Sequence, residues 1–138
     1  MLPALLNTTP IPILGEVLNF AQARHTVLAG NLANVNTPGY RIRDLSTTEF
    51  QQRLKEAIAQ MQRAPQASDS PGLLGAEPDE PLRQVRASLE NLVYHDDTNL
   101  DLEKQVAEMT KNHLLHNLAL TILTHQFQLL QNAISERV

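Results

Sequence analysis

The chain has 138 residues, a formal charge of −4 and no cysteine. That is room for one modest domain. It excludes disulfides and thiolate metal sites and gives no general attraction to nucleic acid or anionic lipid.

Three Phe, two Tyr and no Trp leave the core to Leu, Ile, Val and Ala, which suits helices packed on helices. Residues 1–12 read as a flexible arm, because Pro3, Pro10 and Pro12 each remove a backbone donor. The N-terminus has no basic region, so no cleaved signal peptide is expected. No run of 18 apolar residues occurs, so the chain is not expected to span a membrane.

From Leu14 a heptad pattern begins. Leu14, Leu18, Ala21, His25, Leu28, Leu32 and Val35 recur at alternating spacings of 4 and 3. This predicts a helix over residues 13–35, roughly 33 Å long at about 1.5 Å per residue. Pro38 disfavours α conformation at Thr37 and so ends it. Thr37-Pro38-Gly39-Tyr40 carries Pro and Gly where a type II turn needs them. Asn31, Asn34 and Asn36 precede the turn and have two compatible readings. They can terminate the helix, and they can hydrogen-bond to neighbouring subunits.

Tyr40-Arg41-Ile42-Arg43 alternates and is expected to be extended. Ser46 and Glu49 have capping-box spacing, and Phe50, Leu54, Ala57 (or Ile58) and Met61 predict a short helix over 47–62. Residues 63–82 hold four Pro and two Gly and read as a flexible linker. Val85, Leu89 and Leu92 allow a short helix within 83–95, the lead-in to the last element of an 83–138 segment.

Asn99 or Asp101 can cap that last element, a helix of roughly 35 residues or about 52 Å. Leu102, Val106, Met109, His113, His116, Leu120, Leu123, Phe127, Leu130 and Ile134 keep the 4, 3 spacing throughout. A second stripe, Leu115, Leu118, Ile122 and Leu129, lies off this seam. A helix with two apolar stripes needs partners on two sides. From Asn112 to Ser135 there is no Asp, Glu, Lys or Arg in 24 positions, yet half of them are polar. That mixture is wrong for a bilayer and suits a helix enclosed by other protein. The fold class that follows is all-α: long N- and C-terminal heptad helices paired as in a coiled coil, with a short middle helix and a Pro/Gly-rich loop.

Nothing points to chemistry. His113 and His116 fall on the seam and read as polar packing rather than metal ligands, as does His25. Asp96, Asp97, Asp101 and Glu103 lack cation-loop spacing and read as helix-capping acids. Ser46, Ser88 and His95 form no nucleophile constellation. No cofactor, small-molecule substrate or enzymatic activity is expected.

"LAGNLANVNTPGYRIRD" (28–44) closely resembles the N-terminal motif of the flagellar rod, hook and hook-filament-junction proteins. "DDTNLDLEKQVAEMTKNHLLHNLALTILTHQFQLLQNAI" (96–134) resembles the matching C-terminal half, with Asp97 where that family has Gly. A chain this short, with no large inserted β domain, is similar to the proximal rod members. The resemblance implies a structural subunit exported through the flagellar type III apparatus without a cleaved signal. It implies self-assembly through nested terminal helices into a tube in the periplasmic space. Implied neighbours are other rod proteins, the adaptor FliE, the MS ring and the export gate. The alternative is a soluble helical adaptor or chaperone that binds one partner helix through the same stripes.

Overall fold

A computed structural model describes residues 9–63, 80–89, 93–96 and 102–135. Helix α1 (Ile11–Ala33) leads through a turn to strand β1 (Ile42–Leu45) and helix α2 (Thr47–Arg63). Then come helix α3 (Glu80–Ala87), strand β2 (Val93–Asp96) and helix α4 (Leu102–Ser135). The fold is helical, as expected, with one small addition: β1 and β2 pair antiparallel, Ile42 opposite Asp96 and Leu45 opposite Val93.

Helix α1 starts two residues earlier than its heptads suggest. Pro12 lies in the first turn, where its missing N–H leaves no bond unmade, and Leu14 N donates to Pro10 O at 2.9 Å. The far end stops at Ala33, so Val35 lies in the turn and not on the helix. Asn34 bonds the last turn through both its backbone N–H and its side chain, the latter to Gly30 O at 2.8 Å. Gly39 then adopts φ +76°, and Tyr40 N donates to Thr37 O at 3.2 Å, the geometry a type II turn requires.

Ser46 caps α2, its Oγ accepting from Glu49 N at 3.2 Å. The expected helix within 83–95 is corrected. It begins at Glu80, inside the span read as linker, with Pro81 in its first turn, and ends at Ala87. Val93-Tyr94 instead form a strand, because β1 offers them a backbone ladder and both types suit a pleated surface. The rest of that linker, the arm over 1–8, and the capping candidates Asn99 and Asp101 fall outside the described residues.

The hydrophobic core lies between α1 and the α2–α3 pair. Phe20, Leu45, Phe50, Ala57, Leu82 and Val85 are buried there, with Ile13, Val17 and Val27 packed alongside. Phe20 and Phe50 stack with ring centroids 4.0 Å apart. Glu16 is buried on the α3 side and paired with Arg86. Helix α4 packs on a different face of α1 and runs antiparallel to it, since Asn31 meets Gln105, Arg24 meets Glu108 and Ala21 meets Asn112. Of the large apolar residues of α4, none is fully buried within the chain; Ala119 is the buried apolar position.

Candidate assembly interface

Two residues of α1, one heptad apart, organise a polar junction with β1 and α4. Arg24 donates to both carboxylate oxygens of Asp44, at 2.8 and 2.7 Å, and to Glu108 at 2.9 Å. This fork geometry is the strong form of an ion pair. It raises the Arg24 pKa, with the Asp44 hydrogen bond the leading cause. Glu108 is held below the usual carboxylate range by Lys111 at 2.7 Å and by Arg24.

Two turns further along α1, Asn31 is fully buried. Its Nδ2 donates to Arg43 O at 2.6 Å and to Gln105 Oε1 at 3.1 Å. Its Oδ1 accepts from Arg43 N and Tyr40 Oη, each at 3.2 Å. An amide has two donors and two acceptor sites, so Asn31 is fully engaged inside the chain. It pairs with the strand backbone as a neighbouring strand would. Asn34 is engaged locally, its Oδ1 accepting from Thr37 at 3.3 Å. Asn36, Thr37, Pro38 and Gly39 are exposed, and Tyr40 is half-buried.

The sequence-derived seams are placed differently from one another. On α1, Ala21 and Leu28 are buried, whereas Leu14, Leu18, His25 and Leu32 are half-buried. A second heptad series offset by one residue (Ile13, Val17, Phe20, Arg24, Val27, Asn31) serves both sides of α1: Ile13, Val17, Phe20 and Val27 pack in the core, and Arg24 and Asn31 bond β1 and α4. That series carried a signal, but its charged and amide members hid it.

On α4, Met109, His116, Leu123 and Leu130 are half-buried. Leu102, Val106, His113, Leu120, Phe127 and Ile134 are exposed. Facing α1 are Gln105, Asn112 and Ala119, each one residue before an expected seam position. The helix is therefore turned by about half of the ~100° that separates successive residues. The strip toward α1 is polar or small. Apolar stripes flank it on both sides: Leu102, Val106, Leu120 and Phe127 on one, Leu115, Leu118, Ile122 and Leu129 on the other. Together with Leu114 and Ile134, these side chains are between 38% and 70% exposed. Asn112 Nδ2 donates to Ala21 O at 2.8 Å, while its buried Oδ1 has no protein donor. Beside it, His25, His113 and His116 border a cleft of about 180 Å³ between the two helices.

Exposed apolar surface this extensive on one helix marks an interaction site. The class defined by this fold is a helical protein whose long C-terminal helix carries extensive exposed apolar surface. A family model described as flagella basal body rod protein matches residues 15–41. The flagellar basal body rod protein FlgB of Salmonella typhimurium is 28% identical over 127 residues, covering 86% of this chain and 88% of that protein; FlgB of Escherichia coli matches to the same extent. The chain is thus similar to flagellar basal body rod proteins, in the helix-and-turn segment through the family model and over most of its length through the FlgB proteins.

Proposed function

We propose that this chain is a proximal rod subunit that self-assembles through the two apolar stripes of α4 and leaves the cytoplasm through the flagellar export apparatus without a cleaved signal. The observation that carries this reading is the exposed apolar surface of α4, which has no charged residue from Asn112 to Ser135. Helix α1 occupies the polar strip between the stripes, so each stripe remains free for a helix of a neighbouring subunit. Burying such a stripe contributes about 25 cal/mol per Å². The absence of charge from 112 to 135 means that no unpaired ion is trapped when the face closes. The neighbours in this reading are further copies, other rod proteins, the adaptor FliE, the MS ring and the export gate, in the periplasmic rod.

The test is complementation of a strain lacking this protein by a Leu118→Asp, Ile122→Asp variant. Export with no rod formation in basal bodies imaged by electron microscopy is expected. Normal rods would refute the assignment of the stripe. Discrete complexes with one partner and no axial stacking would instead identify an adaptor.

A further inference from the structure

Helix α4 poses a packing problem. It turns Gln105 and Asn112 toward α1 and leaves Val106, Leu120 and Phe127 in solvent. Helix α1 meanwhile keeps Leu14, Leu18 and Leu32 only half-buried. A rotation of about 50° would close the apolar heptad seam that both helices encode. Apolar burial alone favours that rotated packing. Something holds α4 away from it.

We infer that Gln105 and Asn112 are positioning residues that set the rotation of α4, so that its apolar stripes point outward. Three contacts cross the pair at successive turns: Asn31 to Gln105, Arg24 to Glu108, and Asn112 to Ala21 O. Each is directional and is satisfied in one rotation only. In the rotated packing, Gln105 would move to the flank of the seam and its bond to the buried Asn31 would break. Asn112 is the more telling residue. Its buried Oδ1 has no protein donor, so a purely stabilising role would favour an apolar side chain there. A lone amide in a helix seam is the attested means of fixing register at a cost in stability. The inference rests on the reading that the outward stripes are the assembly surface, and it adds what keeps them outward.

The chain has no native cysteine, so single thiols report rotation directly. Ala119→Cys lies in the buried strip and Leu120→Cys on the exposed stripe. In the otherwise native monomer, a water-soluble disulfide reagent should modify position 120 at least about tenfold faster than 119. Introducing Gln105→Leu with Asn112→Leu should invert that order, with helicity retained by circular dichroism. Adding Val106→Gln, which makes the rotated seam polar, should restore it. An unchanged order in a folded double variant would overturn the inference. If the double variant loses helicity, Asn112→Leu alone carries the test: it breaks one hydrogen bond, and it should slow 120 and speed 119. If the order inverts but cells carrying the double variant still build normal rods, the positioning role stands and the assembly reading fails.

Discussion

Asn31→Ala is the perturbation that bears most directly on how the chain holds together. The native amide makes four hydrogen bonds, two of them to the N–H and C=O of Arg43. A buried hydrogen bond contributes about 1 kcal/mol net, and a buried group left unpaired costs about 1–3 kcal/mol. Tyr40 is half-buried and can turn its hydroxyl to water, so its share is small. The Arg43 peptide loses two bonds at once, and Gln105 is buried and has no such escape. The loss should come to about 3–4 kcal/mol, a large part of the roughly 5–15 kcal/mol that holds a domain together. For a chain of this length that lowers the melting temperature by about 10 °C. Urea titration followed by circular dichroism at pH 7 measures it. Asn34→Ala is the control, since its bonds stay within the turn, and it should cost about 1 kcal/mol. An Asn31→Ala variant no less stable than Asn34→Ala would refute the whole account of the junction.

Phe127→Asp, on an exposed stripe, should change monomer stability by under about 0.5 kcal/mol while blocking rod formation; thermal unfolding and electron microscopy read the two effects separately. Gly39→Ala places a side chain at φ +76° and should cost about 1–2 kcal/mol. Pro38→Ala with Gly39→Ala should harm assembly more than helix content, measured by rod imaging and circular dichroism. Glu108→Gln should weaken the chain at pH 7 and converge with wild type in acid. The folded pKa of Glu108 is depressed, so its contribution is complete above the unfolded value of about 4.3 and is lost as pH falls through the folded one. Parallel unfolding curves for the two proteins at every pH would contradict this.

The helices were legible in the sequence because their stop signals are chemical. Pro38 and Gly39 end α1 within two residues of the expected place, and Ser46 opens α2 where its spacing with Glu49 predicts. The rotation of the helices was not legible. Apolar counting assumes that the driest face of each helix meets its partner within the chain. Here the dry face of α1 meets α2 and α3, and the α1–α4 contact is made by Asn31, Gln105, Arg24, Glu108 and Asn112, residues that a hydrophobic pattern discards. The β1–β2 ladder was hidden for another reason. Ile42–Leu45 and Val93–Asp96 are four residues each, too short for alternation to stand out, and their pairing spans more than a third of the chain.

The segment matched by the family model, residues 15–41, contains Arg24, Asn31 and Tyr40. All three bind within this chain: Arg24 and Asn31 to β1 and α4, and Tyr40 to Asn31. The exposed stripes, by contrast, begin at Leu102, outside that segment. This separates two tasks that the Asn-rich turn seemed to combine. The turn and the end of α1 build a junction that holds β1 against α1 and ties α1 to α4. In the proposed assembly, contact with neighbours falls to the surface α4 presents. A change at Asn31 should therefore disturb assembly only as far as it disturbs the α1–α4 pairing, whereas a change at Leu118 or Phe127 should disturb assembly with the pairing intact.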